Sequence, residues 1–577
     1  MAIVRGPTKH HVRPYPTGAV KDTIGPKLED LALSRVLAIC LDGYEESIGR
    51  QLMADGRMPA LRALSELSAR FWLDHGPALR TGLAGEHVAT GLSPADAGRW
   101  SAVRFEPTRY SVRQEGTALT PFTSALGSRA VVFDPPYFDL ARAPRTRGMV
   151  AWGAHDPGVA STANPPGLVE EVSARFGAYP ARKWIYGTPW NSSAASKQMG
   201  DHLTEGVRLR ASVARWLYQE RLPDWELALL TVSEAHSALE GLWHGIDPTH
   251  PLHLCPSAVA AAAGIRSVYA AIDDLIGELR AAFPDAAIVV FSMHGMGPNR
   301  SDAASMLLLA EFLYRRAFGS AYFDRKAATS VALHGQAVMT ELESWGNWVA
   351  AGFPAEPAGA GEPLWRRVAR RVIPTAAKRV VKRMLARLTA EPGSALRLPI
   401  DWMPAARYQR FWHRMPAFAL PSFYDGRVRI NLRGRERTGI IDPAQYRVCR
   451  DDLLAALREC RDPITGESVV EDIEYPAAAD PMEAGPTEAD LVILWRGAPM
   501  GLVHPEHGQI GPLPYRRTGG HTGGSGFAFL HGEGIQPGEY GTRSAYDVVP
   551  TLFELLGRPP LEGLSGSSLM SPMRKAS

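Results

Sequence analysis

Residues 35–43 read Arg-Val-Leu-Ala-Ile-Cys-Leu-Asp-Gly, a run of six apolar residues that leads from an arginine to an acid and a glycine. An uninterrupted apolar run of this length is typical of a strand that is buried on both faces of a parallel sheet. In open α/β sheets, ligands bind beyond the carboxyl ends of the strands. We therefore expect Asp42 to lie at the rim of an active site.

The same order, apolar and then polar, recurs further along the chain at residues 225–234 and 287–295. Between these two segments, Pro256–Phe283 has the pattern of a long helix. Strand, helix and strand joined by short connections indicate a parallel sheet with helices on both faces. The sequence therefore predicts an α/β fold with a central, mostly parallel sheet, closed by a C-terminal helix around Ala545–Leu556.

The character of the sequence changes in the middle of the chain. Arg427–Leu432 alternates as a strand does, and Asp490–Trp495 marks the point at which we expect the main sheet to resume. An α+β insertion into the core explains this order. The expected divisions are a leader at 1–31, a catalytic core at 32–310 and 491–577, and an insertion or cap region at 311–490.

The overall charge gives no global field that would attract nucleic acid or anionic lipid. The 63 Lys and Arg residues nearly balance the 60 Asp and Glu residues, for a net charge of +3. Locally, residues 366–387 contain nine basic residues and no acid, which fits either a solvated helix face or a surface for an anionic partner. The stretch lacks a recognised nucleic-acid motif and aromatic interleaving, so we expect no nucleic-acid partner.

The composition indicates a soluble protein of a reducing compartment. Hydrophobic residues make up 45% of the chain and charged residues 21%, as in ordinary globular proteins. The four cysteines lie far apart, without a C-x-x-C pair. No apolar run of signal-peptide length follows the N-terminus, and no apolar run reaches 18 residues. We expect a cytoplasmic location and no transmembrane segment.

Several segments present side chains that could bind a metal ion. Imidazole nitrogen and carboxylate oxygen together suit zinc or a similar divalent ion. A structural hydrogen bond or a helix salt bridge would explain each residue taken singly. Glycines beside two of the histidines favour a site, because glycine lets the backbone approach a ligand closely. The candidates are Asp42, the group His236, Glu240 and His244, then His294, and His521 within Gly519-Gly-His-Thr-Gly-Gly-Ser.

Taken together and in order, further segments resemble the alkaline phosphatase superfamily, in particular its type I phosphodiesterase/nucleotide pyrophosphatase branch and the predicted phosphohydrolase/phosphomutase relatives. The resemblance covers most of the chain and implies an alkaline phosphatase-like fold. The segments are Val36–Gly43 followed by Gly56-Arg-Met-Pro, then Arg80–Pro94, Trp225–His244, Phe291–Gly297, Gly520–Gly524 and Asp547–Leu552.

The resemblance implies a nucleophile and a metal centre. In the family the nucleophilic Thr or Ser precedes a Thr-Gly pair by nine residues, and this places the nucleophile at Thr81, before Thr90-Gly91. The resemblance also implies one or two divalent ions per chain, with zinc expected and manganese as an alternative. The implied ligands are Asp42, Thr81, His236, Glu240, His294 and His521.

Two departures from the family pattern affect this centre. His236 and Glu240 stand where relatives have Asp and His, and both are able to bind a metal. Met293 stands where the family has the Asp of an Asp-His-Gly segment, so a carboxylate of the second metal position is missing. A thioether is a poor ligand for such an ion. Glu234 and Glu86 are both open candidates for the missing acid.

The resemblance implies a metal-dependent phosphoric ester hydrolase of the phosphodiesterase/nucleotide pyrophosphatase type. Its substrate would be a small anionic phosphoester, and attack by Thr81 would form a covalent phosphothreonine intermediate. Two alternatives stay open. One is a phospho- or sulfotransferase or mutase that uses the same site. The other is a non-catalytic metal-binding member, which the presence of Met293 favours.

Overall fold

The structure of the chain is a computed structural model, which describes residues 35–187, 191–324, 337–341, 343–354, 396–398, 400–475, 480–559 and 561–571. The leader at 1–31 and the basic stretch at 366–387 lie outside the described residues. The described strands are β1 (Val36–Leu41), β2 (Ala69–Asp74), β3 (Val103–Glu106), β4 (Ser111–Glu115), β5 (Ala130–Phe133), β6 (Arg147–Val150), β7 (Thr162–Asn164), β8 (Leu227–Val232), β9 (Ala287–His294), β10 (Gly297–Pro298), β11 (Arg397–Leu398), β12 (Ala417–Leu420), β13 (Gly426–Ile430), β14 (Val470–Glu474), β15 (Leu491–Trp495), β16 (Leu502–His504), β17 (Gly508–Ile510), β18 (Gly519–Gly520), β19 (Ser525–His531) and β20 (Gly538–Ser544). The described α-helices are Glu46–Ala54, Pro59–Glu66, Ala84–Thr90, Leu168–Phe176, Ser193–Trp216, Glu234–Leu242, Ser257–Ala282, Leu309–Phe318, Trp345–Ala350, Gln409–Trp412, Tyr446–Glu459 and Val548–Leu555.

The main sheet has the strand order β20-β2-β19-β9-β1-β8-β5-β6-β7. β1 lies in its interior, parallel to both β8 and β9, and all of its residues are buried. Parallel pairing continues from β8 through β5 to β6, and β2 is parallel to β20. β19 runs antiparallel to β2 and β9, and β7 runs antiparallel to β6. The predicted α/β fold with a mostly parallel sheet is confirmed, with antiparallel strands added to it.

Apolar side chains and helices cover both faces of the main sheet. Alternate residues of β1, beginning with Leu37, point into one core, which contains the helices Ser193–Trp216 and Ser257–Ala282. The residues between them, beginning with Val36, point into the opposite core with the helix Val548–Leu555. Both predicted helices are thus confirmed within a few residues of their expected ends. Within the described ranges, no helix is long and apolar enough to cross a membrane.

A second sheet, with the strand order β12-β13-β15-β14, is antiparallel throughout. It has its own apolar core, in which Trp412, Phe418 and Leu491 are fully buried. The prediction that Asp490–Trp495 returns to the main sheet is wrong, because this stretch forms β15 and pairs with β13 and β14. A short apolar strand can form its hydrogen bonds equally well in either sheet, so its sequence alone does not predict the strand with which it pairs. The chain re-enters the main sheet at β19.

Candidate metal centre

Three neighbouring strands bring candidate ligands to one edge of the main sheet. Asp42 directly follows β1, and His294 is the last residue of β9. His236 lies in the helix Glu234–Leu242, which begins just after β8. Because β1 is parallel to both β8 and β9, the carboxyl ends of these strands meet. The three side chains therefore start from the same rim.

Gly43 allows the chain beyond β1 to pass close to His236. Its φ of 60° lies in the left-handed region, which favours glycine. A Cβ atom at this position would lie 2.8 Å from Cγ of His236, closer than two carbon atoms can pack. With the close approach permitted, Oδ2 of Asp42 lies 3.1 Å from Nδ1 of His236.

His236 contacts candidate ligands from two other parts of the structure. Its Nε2 lies 2.9 Å from Nε2 of His521 and 3.6 Å from Oε1 of Glu240. Glu240 is one helical turn beyond His236, so the two side chains share a helix face. His521 follows β18, where a Cβ on Gly519 would lie 2.1 Å from the carbonyl oxygen of Leu239 in the same helix. The residues thus brought together are Asp42, His236, Glu240 and His521.

His155 is a member of this cluster that sequence reasoning missed. Its ring stacks on the His236 ring at a centroid distance of 3.8 Å, and its Nε2 lies 3.7 Å from Oε1 of Glu240. All three side chains are buried, and their potential ligand atoms lie within 4.8 Å of one another. The signal in the sequence was a histidine set between glycines, in Gly153-Ala-His-Asp-Pro-Gly158.

Backbone carbonyl groups fix the tautomers of two histidines. Nδ1 of His155 contacts the carbonyl oxygen of Ile185, and Nδ1 of His294 lies 2.9 Å from the carbonyl oxygen of Gly295. A carbonyl oxygen can only accept, so Nδ1 is the donor in both rings. Each ring therefore presents the lone pair of Nε2, as metal-binding histidines do.

The donor set of the cluster fits a divalent metal ion. Glu240 is fully buried; its Oε1 pairs with the guanidinium of Arg517, and its Oε2 accepts no hydrogen bond from any described residue. Nδ1 of His521 is also buried and has no hydrogen-bond partner in the part of the chain that the structure describes. Buried polar atoms are rarely left without partners, and imidazoles with a carboxylate are a ligand set typical of zinc. The residues that could hold one ion are His155, His236, Glu240 and His521.

The protonation states in the cluster suit cation binding at neutral pH. Burial acts to raise the pKa of Asp42, but the opposing effect of His236 and neighbouring histidines lowers it to about 2. Burial lowers the pKa of His155 to about 3, and it also lowers the pKa values of His294 and His521. Ionised carboxylates and neutral imidazoles are the forms that coordinate metal ions.

A second candidate position adjoins the cluster. Asp42 and His294 line a small cavity together with Met293 and the first residues of the helix Ala84–Thr90. The ring centroid of His294 lies 4.6 Å from that of His521, which belongs to the first cluster. The two positions are therefore close enough to act on one substrate.

Both sequence candidates for the acid that Met293 replaces are paired with arginines. The carboxylate of Glu234 lies 2.9 Å from the guanidinium of Arg210, and that of Glu86 lies 3.3 Å from Arg99. All four of these side chains are buried. Each carboxylate therefore has an arginine as its counter-ion.

Thr81 lies on a segment that is joined to the cluster through Tyr424, and both hydrogen bonds of its hydroxyl are made within that segment. Its side chain is buried, and its hydroxyl donates a hydrogen bond to the carbonyl oxygen of Ala78 at 2.7 Å. The next residue, Gly82, packs against Tyr424, since a Cβ there would lie 3.2 Å from the tyrosine ring. That ring has its centroid 4.6 Å from the ring of His521. One aromatic ring thus links the Thr81 segment to the histidine cluster.

His244, which the sequence grouped with two of the ligands, makes different contacts. Its Nε2 lies 3.1 Å from Oγ of Ser257, and its Nδ1 lies 3.4 Å from Oγ1 of Thr518. Each ring nitrogen is therefore hydrogen-bonded to a hydroxyl group, and neither is left for a metal ion. The contacts of His244 are therefore those of a buried structural histidine.

One family model matches the sequence over most of its length. This model, described as type I phosphodiesterase / nucleotide pyrophosphatase, matches residues 36–481. The matched range contains Asp42, Thr81, His155, His236, Glu240 and His294, and His521 lies beyond it. Comparison with curated proteins finds no match.

Among solved structures, the chain is similar to phosphonoacetate hydrolase from Sinorhizobium meliloti 1021 in complex with phosphonoformate. That match has 14% identity and a TM-score of 0.45 over 94% of this chain and 100% of the other. Murine ectonucleotide pyrophosphatase / phosphodiesterase 5 matches with 11% identity and a TM-score of 0.41, over 94% and 99% of the two chains. Wild-type alkaline phosphatase PafA matches with 11% identity and a TM-score of 0.44, over 93% and 98%.

Proposed function

Since the chain belongs to the type I phosphodiesterase / nucleotide pyrophosphatase family, we propose that it is a metal-dependent phosphoric ester hydrolase of the phosphodiesterase type. Its substrate is a small anionic phosphoester. The observation that carries the proposal is the convergence of buried imidazoles and a buried carboxylate on His236, beside the ionised carboxylate of Asp42.

Each of the two candidate positions would hold one metal ion. Zinc is the expected ion, and when bound it polarises phosphoryl oxygens and lowers the pKa of a coordinated hydroxyl group or water. The pKa values of His155 and His521 are lowered by burial, so neither ring has to lose a proton at neutral pH before it binds. The first ion would be held by His155, His236, Glu240 and His521, and a second by Asp42, His294 and Thr81.

Thr81 is the proposed nucleophile. Its Oγ1 gives up its proton and forms a bond to phosphorus as the bond from phosphorus to the leaving-group oxygen breaks; the proton ends on that oxygen, and a phosphothreonine and a free alcohol result. Water then attacks the same phosphorus, breaks the bond to Oγ1 and restores the hydroxyl group. The hydroxyl donates to the Ala78 carbonyl oxygen, so this hydrogen bond has to be released before the attack.

A matched pair of threonines tests the nucleophile. Thr81 donates to a carbonyl oxygen at 2.7 Å and accepts from the N–H two residues further on at 3.1 Å. Thr90 makes the same two contacts, at 2.7 and 3.2 Å, and is equally buried. Thr81→Ala and Thr90→Ala therefore lose the same local hydrogen bonds, and a difference in activity between them reports on the reaction itself.

The assay uses protein loaded with zinc or manganese and an aryl phosphodiester such as bis(p-nitrophenyl) phosphate. We expect Thr90→Ala to hydrolyse it at a rate close to that of the unchanged protein. We expect Thr81→Ala to hydrolyse it about 1,000-fold more slowly or worse, because loss of a nucleophile lowers the rate of the chemical step. Equal rates for Thr81→Ala and the unchanged protein would remove Thr81 from the mechanism.

A second candidate function is metal binding without hydrolysis, and Met293 is the observation that favours it. Met293 is buried in an apolar core, and both acids that could replace its missing carboxylate are paired with arginines. Elemental analysis of the isolated protein separates the two functions. Two ions per chain together with ester hydrolysis would exclude the second candidate, and one ion without hydrolysis would support it.

A further inference from the structure

A cationic side chain contacts the carboxylate of the candidate metal centre. Arg517 lies four residues before His521, and its side chain is almost completely buried. Its Nη1 forms an ion pair with Oε1 of Glu240, the same oxygen that faces Nε2 of both His155 and His236. A fixed positive charge therefore sits beside the carboxylate that would bind the first ion.

Arg517 is held in place from its other side by Asp302. Its Nε lies 2.9 Å from Oδ2 of Asp302 and its Nη2 lies 3.4 Å from Oδ1, a two-point contact of the kind that fixes the plane of a guanidinium. Asp302 is buried, and its own N–H donates to Oδ1 of Asn299 at 3.2 Å. The guanidinium therefore bridges two buried carboxylates with little freedom to rotate.

A comparison with Arg210 separates this arrangement from an ordinary buried ion pair. Arg210 also bridges two buried acids, Asp134 and Glu234, at 3.0 and 2.9 Å. Those acids accept further hydrogen bonds, from the N–H groups of residues 152 and 153 and from the hydroxyl of Tyr179. In Glu240, Oε1 pairs with Arg517, and Oε2 accepts no hydrogen bond from the residues that the structure describes, so Arg517 holds one oxygen and leaves the other available.

On the basis of the metal centre proposed above, we propose that Arg517 is a positioning residue, which with Asp302 fixes the Glu240 carboxylate for a divalent ion. In its absence Glu240 would be a buried charge with no nearby guanidinium, and it would turn away from His155 and His236. Partners of this kind behind metal ligands set the orientation and basicity of those ligands. Arg517 thus contributes to metal affinity without itself binding the metal.

Neighbouring Arg516 provides a matched control. Its Nε lies 2.7 Å from the same Oδ2 of Asp302, and its guanidinium packs over the ring of Trp402 at 5.6 Å. Arg516 therefore shares the anchor of Arg517, and no contact between Arg516 and Glu240 is present in the structure. Arg516→Met and Arg517→Met remove the same type of side chain from consecutive positions.

The test measures zinc affinity of the full chain at fixed pH by competition with a chromophoric chelator. We expect Arg517→Met to bind zinc about 10–100-fold more weakly than the unchanged protein, the usual cost of losing a partner behind a metal ligand. Arg517→Lys should recover part of the loss, because it keeps the charge and loses the two-point geometry. Arg516→Met should bind zinc as the unchanged protein does. Circular dichroism and urea unfolding establish that each variant is folded.

Three results would overturn the inference. Arg517→Met that is folded and binds zinc as tightly as the unchanged protein, or more tightly, would show that Arg517 does not position Glu240. Equal weakening in Arg516→Met would assign the effect to general packing. If Arg517→Met does not fold, Asp302→Asn and Arg517→Lys serve instead, and unchanged affinity in both would be equally decisive. Absence of zinc binding by the unchanged protein would overturn the metal centre itself, a result distinct from a failure confined to Arg517.

Discussion

Nε2 of His75 lies 2.8 Å from Nδ1 of His87, and this contact joins the two ends of the segment that carries Thr81. Both rings are buried. The His75 ring also stacks at 6.3 Å from the ring of His294 at the second candidate metal position. The segment is therefore closed by a hydrogen bond between two imidazoles, next to a candidate ligand.

Replacement of His75 by phenylalanine should weaken this closure. His75→Phe keeps an aromatic ring and leaves Nδ1 of His87 without its partner, so we expect the free energy of unfolding to fall by about 1–3 kcal/mol. Urea unfolding measures the change. His531→Phe is the control, because His531 also makes one ring hydrogen bond, to the carbonyl oxygen of Leu67, but is only partly buried, and substitutions away from the core usually change stability by about 0.5 kcal/mol or less. Unchanged stability of His75→Phe would show that the contact does not hold the segment.

Buried His244 and His250 predict a loss of stability in mild acid. Burial lowers the pKa of His244 to about 3 and that of His250 to about 4, from an ordinary value of 6.5. Below pH 6.5 the unfolded chain binds protons at these rings and the folded protein does not, so the free energy of unfolding falls with pH until the folded pKa is reached. Each ring should lower the free energy of unfolding by about 2 kcal/mol between pH 7 and pH 5.

Urea unfolding at pH 7 and pH 5 tests this pH dependence. The decrease between the two pH values should be smaller by about 2 kcal/mol in His244→Gln than in the unchanged protein. The exposed His413 supplies the comparison, and His413→Gln should keep the full decrease. If His244→Gln lost as much stability as the unchanged protein, His244 would have to titrate normally in the folded state.

His155 should contribute directly to zinc binding. We expect His155→Ala to weaken zinc affinity by at least the roughly 10–100-fold that loss of a partner behind a ligand costs, because a ligand atom itself is removed. His253→Ala is the control, since His253 also donates from Nδ1 to a carbonyl oxygen, that of His244, at 2.8 Å. Zinc affinity is measured by chelator competition. Identical affinities of His155→Ala and His253→Ala would exclude His155 from the centre.

An acid introduced at Met293 should make stability depend on zinc. Met293 lines the cavity that contains Asp42 and His294, so Met293→Asp adds a second buried carboxylate there. Without metal we expect a loss of about 1–3 kcal/mol, and saturating zinc should reverse it because the ion binds the folded state. Met293→Leu keeps the volume and should change stability by less than about 1.5 kcal/mol, with or without zinc. Equal responses of the two variants to zinc would contradict a metal position at this cavity.

The strands and the ligands that follow them were predictable because the signal is local. Apolar runs that end in Asp42 or His294 identify buried parallel strands, and parallel pairing then brings their ends together without further information. The partner of β15 was not predictable in the same way. Its five residues suit either sheet, and the neighbours that decide between them lie far away in the sequence.

The parts of the site that escaped prediction depend on tertiary packing. His155 joins the cluster by stacking on His236, a contact between a loop residue and a helix residue, and no spacing rule connects the two positions. In the sequence, Arg516 and Arg517 are two adjacent basic residues that nothing distinguishes. Only the fold shows that Arg517 contacts both Glu240 and Asp302. Sequence reasoning therefore identified residues at strand ends and missed His155 and Arg517, whose place in the site depends on tertiary contacts.

β19 sits between β2 and β9, so a late part of the chain fills a gap in the middle of a sheet whose other interior strands come much earlier. During synthesis on the ribosome, the edge of β9 that pairs with β19 stays unpaired until β19 has been made. His521 emerges immediately before that missing strand. Pairing of β9 on that side and the arrival of His521 at the cluster are therefore both postponed to the final stage of synthesis.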